Sequence, residues 1–125
     1  MIYLACPYSD PDPSIMRNRF FCANRTAAII MSQGFHVFSP ISQCHPIALE
    51  GCLPVDWEYW REYDKKILSI CDEICVLTVD GWKQSKGIKG EIKLSVEMGI
   101  TRTMIEYGSA IRRPIPYSIV TEFLK

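Results

Sequence analysis

The chain has 125 residues, of which 48% are hydrophobic, so it can bury one core but is too short for two ordinary domains. Fourteen basic and fourteen acidic residues give a formal net charge of zero, which argues against a nucleic-acid polymer or an anionic membrane as partner. We therefore expect one domain spanning residues 1–125, in which basic residues act only locally.

The amino-terminal segment and the cysteines both favour a cytoplasmic protein. The apolar run from Met1 to Cys6 has no charged segment and meets Pro7 too early for a signal or membrane segment, so it reads as the first strand. The six cysteines form no C-x-x-C pair, which favours reduced thiols over a disulfide framework. Their spacing from His36 and His45 fits no structural zinc site.

A first helix and a second strand follow the turn-rich loop Pro7–Ser14. The helix should run from about Ile15 to Gln33 and end at Gly34. Its sheet-facing stripe is predicted to be Met16, Phe20, Ala23, Ala27, Ile30 and Met31, with Arg17, Asn18, Arg25 and Thr26 facing away. Strand Phe35–Ser39 comes next, and the long stretch Pro40–Val55 is typical of a lid, a binding segment or a short helix.

The second predicted helix carries a carboxylate where packing favours an apolar side chain. It starts at Asp56, a good N-cap, and extends to about Cys71. Its stripe consists of Trp57, Trp60, Ile67, Leu68 and Cys71. Asp64 falls on the same stripe, between Trp60 and Leu68.

The stretch Asp80–Glu91 joins a buried strand, Ile74–Val79, to the next helix. That helix has a stripe of Ile88, Ile92, Ser95 and Val96 and ends at Gly99. Glu91 also lies on this stripe, in what we expect to be the first turn, where the helix dipole would keep it ionised. Because ligands of open α/β sheets bind beyond the carboxyl ends of strands, Glu91 is placed to act as an anionic nucleophile or base.

The remaining elements complete an α/β fold. A fourth strand is predicted at Thr103–Tyr107, and the tail ends in a short helix containing Ile119, Val120, Phe123 and Leu124. This alternation predicts a single-domain, flavodoxin-like (Rossmann-like) parallel sheet of four or five strands with helices on both faces.

Asp64 and Glu91 are the strongest chemical signal in the pattern, although each has a structural interpretation. Glu91 could be a charge that the helix dipole merely stabilises, and Asp64 could be paired with Arg19, Arg61 or a backbone amide. If both are functional, they suit a reaction that needs one nucleophile and one proton donor or positioning group, as in glycoside cleavage.

The loop before Glu91 offers groups for substrate binding. Ser85, Gly87 and Gly90 can supply hydroxyl and backbone N–H donors to an anion at the helix start. Trp82 would either stack on a base or cover the edge of the core.

Further candidates lie at the end of the first strand and in the first helix. Tyr3, Tyr8 and Ser9 would face the same crevice, with Tyr3 as readily a core residue. Arg17 and Arg19 would either hold a phosphate or belong to a solvated face.

In combination, three of these segments resemble the nucleoside 2-deoxyribosyltransferase superfamily. They are the strand Ile2–Ala5 with its short Pro/Ser loop, Asp64 before strand three, and Ser85-x-Gly87-x-x-Gly90-Glu91. The sequences Tyr3–Ser9, Val37–Ile41 and Asp80–Trp82 are also similar to a group of small, largely uncharacterised bacterial and phage proteins placed in that superfamily. The resemblance covers the chain to about Tyr107.

The resemblance implies a flavodoxin-like fold, a homodimer or homotetramer, no metal or redox cofactor, and cleavage of an N-glycosidic bond in a nucleoside or nucleotide. Glu91 matches the nucleophilic glutamate that attacks C1′ and forms a glycosyl-enzyme intermediate. Asp64 matches the aspartate that holds the sugar hydroxyls or assists protonation of the leaving base. Tyr3 matches a tyrosine that orients the glutamate.

Two positions bear on the substrate that the resemblance implies. Six residues before the glutamate, base-exchanging transferases carry an aspartate that touches the nucleobase, whereas deoxynucleoside 5′-monophosphate N-glycosidases carry a phosphate-binding serine. This chain has Ser85, which favours nucleotide hydrolysis. The loop Cys6–Ser9 differs from the glycine-serine-arginine loop of those hydrolases, so only Ser9, Arg17 or Arg19 could replace its phosphate contacts.

The resemblance thus predicts an N-glycosidase that releases the free base from a (deoxy)nucleoside 5′-monophosphate. Three alternatives stay open: a deoxyribosyltransferase that exchanges bases, a non-catalytic nucleotide-binding protein and a NAD-type glycohydrolase.

Overall fold

The chain forms five short strands and five helices in the computed structural model, which describes all 125 residues. The strands are β1 (Ile2–Ala5), β2 (Val37–Phe38), β3 (Glu73–Leu77), β4 (Thr101–Ile105) and β5 (Arg113–Pro114). The helices are α1 (Pro13–Ser32), α2 (Pro40–Gly51), α3 (Trp57–Leu68), α4 (Lys86–Met98) and α5 (Tyr117–Phe123), with a 3-10 turn at Trp82–Gln84.

The strands form one sheet in the order β2-β1-β3-β4-β5, in which β1 to β4 are parallel and β5 is antiparallel to β4. The α/β, flavodoxin-like fold class predicted from the sequence is confirmed. The chain moves from β1 to β2 on one side and then returns to place β3 on the other side of β1. The carboxyl ends of β1 and β3 therefore flank a topological switch point, where α/β sheets form a ligand crevice.

Alternate residues of the central strands supply two cores, one on each face of the sheet. Ile2 and Leu4 belong to the core under α1, whereas Tyr3 and Ala5 belong to the core under α3, α4 and α5. This follows from the period of two in a strand. It also sends the Tyr3 side chain toward α4.

The predicted boundaries of α1 and its solvent-facing side need correction. The helix begins at Pro13, because the Asp12 carboxylate caps it by accepting from the Ser14 N–H at 2.8 Å. Thr26 is buried, and its hydroxyl donates to the Cys22 carbonyl at 2.8 Å, which allows it to face the sheet. Met31, which was expected to face the sheet, is half exposed.

The stretch that follows β2 is a helix, the third of the alternatives offered for it. Ser39 caps α2, accepting from the Ser42 N–H, and Pro40 occupies the first turn, where proline is well tolerated. The next helix, α3, starts after Asp56, whose side chain makes no capping hydrogen bond, and ends at Leu68.

Strands β3 and β4 begin one and two residues earlier than predicted and end two residues earlier. Strand β5 was not predicted, since it has only two residues and includes Pro114, which is tolerated at a sheet edge. All six cysteines are free. None of the helices combines the length and apolar character needed to cross a bilayer.

Candidate active site

A cavity of about 340 Å³ opens at the switch point between β1 and β3. This volume lies in the range of roughly 300–1,000 Å³ that is usual for small-molecule sites. Its wall is built from β1 and the loop after it, α2, α3 and the start of α4. Asp64 and Glu91, which sequence patterns singled out, both line it.

Glu91 is a buried carboxyl group in the wall of this cavity. It is 5% exposed, and its Oε2 accepts a hydrogen bond from the Tyr3 hydroxyl. Its other oxygen, Oε1, lies toward Gly87, where an added Cβ would be 3.9 Å away. One carboxylate oxygen is thus held while the other remains on the side of the cavity.

The expectation that the helix dipole keeps Glu91 ionised is wrong. Helix α4 begins at Lys86, so Glu91 lies in its second turn, beyond the first turn to which the dipole effect is confined. Burial raises the pKa of Glu91 well above its usual range, and the charge of Asp64 raises it further, whereas the Tyr3 hydrogen bond lowers it. Desolvation is the largest of these effects.

Asp64 is the unpartnered member of the carboxyl pair. It is 8% exposed, and its Oδ1 is buried without a hydrogen-bond partner. The pairing with Arg19 or Arg61 considered above does not form: Arg19 donates elsewhere and Arg61 pairs with Glu62. Burial raises the pKa of Asp64 to about 7. A buried polar oxygen that the protein leaves unsatisfied beside a cavity is a ready acceptor or donor for a ligand.

Tyr3 is both a core residue and the partner of Glu91. Its side chain is fully buried, and burial, followed by the charges of Glu91 and Asp64, raises its pKa well above the usual value. The phenol therefore keeps its proton and acts as the hydrogen-bond donor to Glu91.

The three residues predicted to bind an anion at the start of α4 have different roles. Ser85 is the N-cap: its hydroxyl accepts from the Ile88 N–H at 3.2 Å, and it lines the cavity together with Gly87. Gly90 does not line this cavity. The indole of Trp57 lies so close to it that an added Cβ would overlap the ring. Gly90 is thus required for helix packing rather than for anion contact.

Tyr8 and Ser9 line the cavity, whereas Arg19 does not. The Tyr8 hydroxyl lies 2.6 Å from Nδ1 of the buried His45, and the Ser9 hydroxyl donates to the Val55 carbonyl. The Arg19 guanidinium donates to the carbonyls of Tyr8, Ser9 and Asp80, each at 3.2 Å. It therefore joins the loops after β1 and β3 and does not line the cavity, so this geometry does not support the phosphate contact predicted for it.

Trp82 lies outside the cavity. Its ring packs at 5.9 Å from that of Phe123, in the core beneath α5. The second of its two sequence interpretations, covering the edge of the core, is correct. Arg17 is exposed on α1 and does not line the cavity either.

Sequence reasoning missed several residues in the cavity wall. Cys44 enters from α2, in the stretch for which a short helix was one of three expectations, and burial raises its pKa to about 12, so it remains a thiol. Trp57 and Trp60 line the cavity rather than fill the core. The signal for them was two tryptophans one helical turn apart, directly after a long irregular stretch. Lys86 could have been predicted as a cavity residue from its position next to Ser85.

This arrangement defines an α/β domain with a buried carboxyl pair in a ligand-sized crevice at the sheet's switch point. Residues 1–107 match the family described as a domain of unknown function (DUF1937), and the chain belongs to that family. No curated protein matches the chain. No group of three or more His, Cys, Asp or Glu side chains is arranged to hold a metal ion.

Proposed function

We propose that the protein cleaves the N-glycosidic bond of a (deoxy)nucleoside 5′-monophosphate and releases the free base. The observation that carries this proposal is the pair formed by Glu91, held by Tyr3, and Asp64, which has an unpartnered oxygen in the same cavity. Cleavage of a glycosidic bond with retention of the anomeric configuration requires two carboxyl groups with different protonation states. The resemblance of residues 1–107 to nucleoside 2-deoxyribosyltransferases assigns the same two residues.

In the proposed reaction, Glu91 Oε1 attacks C1′ while the bond from C1′ to the base nitrogen breaks and its electron pair leaves with the base. The base takes a proton from Asp64. A water molecule then attacks C1′ of the glycosyl-enzyme intermediate, gives a proton back to Asp64 and frees the Glu91 carboxylate. Atoms and charges balance with water as the only co-substrate.

The pKa of Asp64 supports its role as the proton donor. A pKa of about 7 leaves Asp64 partly protonated at neutral pH, which is the condition under which a general acid works best. Tyr3 donates to Glu91 and so stabilises its ionised form. Burial and the charge of Asp64 nevertheless raise the pKa of Glu91 well above its usual range, so the proposed reaction requires the proton of the pair to move from Glu91 to Asp64 when the substrate binds.

The amino end of α4 supports a 5′-phosphate. Ser85, Lys86 and Gly87 line the cavity there, and the first backbone N–H groups of a helix have no partner within it. The ammonium group of Lys86 adds a positive charge beside them. We place the protein in the cytoplasm, which agrees with its six free thiols.

The test is to incubate the wild type and Glu91→Gln with a panel of nucleosides and 5′-monophosphates and to follow base release by chromatography. Glu122→Gln, which removes an exposed carboxylate on α5, is the matched control. We expect release from a monophosphate by the wild type and the control, and a loss of at least a thousandfold in Glu91→Gln, because removal of a nucleophile affects the transition state directly.

Two additives distinguish hydrolysis from base exchange: a second free base and, in a separate experiment, methanol. Methyl glycoside of retained configuration, together with an adduct on the peptide containing Glu91, is expected for a glycosyl-enzyme intermediate. Base exchange without hydrolysis would identify a transferase. Equal activity in Glu91→Gln, or no release from any substrate, would refute the proposal.

A further inference from the structure

A second cavity, of about 450 Å³, lies between α3 and α4 on the surface of the protein. Five of its nine lining residues are cations: Arg61, Lys65, Lys86, Lys89 and Lys93. We call this cavity the basic groove. One acidic residue, Glu97, also lines it. The whole chain has no net charge, so this groove gathers more than a third of its basic residues at one place.

The cations are placed on facing sides of the two helices. Arg61 and Lys65 are four residues apart on α3, and Lys86, Lys89 and Lys93 follow each other at intervals of three and four on α4. Like charges at these spacings repel each other and destabilise a helix. The arrangement therefore works against stability unless an anion is bound.

The protein itself supplies almost no counterion. Of the five cations in the groove, only Arg61 takes part in an ion pair. Its partner is the neighbouring Glu62, at 3.7 Å, and both side chains are more than half exposed. The four lysines form no ion pair, and Glu97 pairs with none of them. The groove thus presents its positive charge outward.

The basic groove adjoins the candidate active site, because Trp57 and Lys86 line both cavities. From Lys86 to Lys93 the cations extend roughly 10 Å along α4 at 1.5 Å per residue, beyond what one phosphate beside Ser85 can reach. A ligand that fills both cavities would place an uncharged group near Glu91. It would extend a chain of negative charges past Lys86 into the basic groove.

We infer that the basic groove binds the phosphate chain of a nucleoside polyphosphate whose nucleoside occupies the cavity of Asp64 and Glu91. The inference rests on the proposed function and extends its substrate class from monophosphates to di- and triphosphates. Lysine ammonium groups act as point charges toward such a chain. Binding should therefore depend strongly on ionic strength.

The experiment measures affinities by titration calorimetry in a Glu91→Gln background, so that no substrate turns over. The probes are the four common deoxynucleosides, their mono-, di- and triphosphates, and inorganic tripolyphosphate. The test variant is Lys89→Gln with Lys93→Gln, neither of which lines the catalytic cavity. The control, Lys66→Gln with Lys125→Gln, removes the same charge from exposed positions outside the groove.

We expect a triphosphate to bind at least tenfold more tightly than the monophosphate at low ionic strength. The groove variant should lose about tenfold in affinity for the triphosphate and for tripolyphosphate, equivalent to about 1.4 kcal/mol, with nucleoside and monophosphate affinities unchanged. The control should lose little.

Equal affinities for mono- and triphosphate, or tripolyphosphate binding that the groove variant retains, would overturn the inference. Tighter binding of a single-stranded oligonucleotide than of any triphosphate would overturn it in favour of a strand-binding groove. If tripolyphosphate binds through Lys89 and Lys93 but no nucleotide enters, the phosphate-chain site stands and the proposed function fails.

Discussion

The hydroxyl of Tyr3, in the first strand, donates a hydrogen bond to the carboxylate of Glu91, 88 residues further along the chain. The contact joins β1 to α4 across the switch point and fixes one oxygen of a buried carboxyl group. It places Glu91, the proposed nucleophile, on rigid secondary structure rather than on a loop, which favours accurate positioning.

We predict that Tyr3→Phe lowers kcat by about 10- to 100-fold, since a hydrogen bond to a charged group contributes roughly 1.5–3 kcal/mol. Without the phenol, the pKa of Glu91 rises further, so the acid limb of the pH–rate profile should move to higher pH. The measurement is kcat/KM against pH for the wild type, Tyr3→Phe and Tyr117→Phe, whose ring is 80% exposed. An unshifted acid limb would exclude a role of Tyr3 in setting the charge of Glu91.

Asp64 should make the protein less stable as pH rises. Its pKa is raised from the ordinary 3.8 to about 7 by burial, so the folded state binds the proton more tightly than the unfolded state does. Stability is therefore unaffected below the unfolded pKa and is lost between about pH 4 and about pH 7. The full effect has an upper limit of about 4 kcal/mol, since one pKa unit corresponds to about 1.4 kcal/mol.

Replacing this carboxyl group with an uncharged amide tests that sign. In urea unfolding from about pH 4 to about pH 8, Asp64→Asn should reduce the pH dependence by about 2–4 kcal/mol, with the gain in stability at the alkaline end. Asp80→Asn, at an exposed position, should leave the pH dependence as in the wild type. Because Glu91 also has a raised pKa, the contradicting outcome is an Asp64→Asn variant whose pH dependence equals that of the wild type.

Gly87 and Gly90 should respond in opposite ways to alanine. At Gly87 the added methyl has ordinary contacts, with Ser85 Oγ at 3.6 Å and Trp57 Cε3 at 3.8 Å, so the fold should be retained. Because the methyl lies in the cavity beside Glu91, ligand affinity should fall by about tenfold, as for a polar pocket that is partly filled.

At Gly90 the methyl would overlap the indole of Trp57, and overpacking of this kind costs about 1–3 kcal/mol. The helix propensity of alanine offsets about 1 kcal/mol of this. Urea unfolding and tryptophan fluorescence of both variants distinguish the two cases, since only Gly90→Ala should shift the emission of the native state. A stable Gly90→Ala with wild-type fluorescence would show that Trp57 does not rest on α4.

Arg19→Gln should weaken every ligand to a similar extent. The guanidinium joins the loops after β1 and β3 through three carbonyls, so its loss should cost about 2 kcal/mol of stability and loosen both sides of the crevice. The comparison is the loss of affinity for a nucleoside and for its 5′-monophosphate. A loss confined to the monophosphate would restore the phosphate-binding role that sequence patterns suggested.

The order of strands and helices could be read from the sequence because strands and helices have different hydrophobic periods. Asp64 and Glu91 could be singled out because each breaks such a period. The contribution of α2 could not, since Pro40 at its start and Pro46 within it resemble loop signals. The indole of Trp57 against Gly90 is a contact between two helices, which no local pattern encodes. The raised pKa of Glu91 depends on burial, which also arises only in three dimensions.

The segment after residue 107 has a consequence for how the folding unit is defined. The family match ends at residue 107, yet Ile115, Val120 and Phe123 complete the core over α4, and the Arg112 guanidinium is held by Glu73 of β3 at 2.7 Å. The segment that defines the family is therefore shorter than the segment that forms the core. A fragment cut at the family boundary would expose an apolar surface beside Trp82, and we expect it to aggregate.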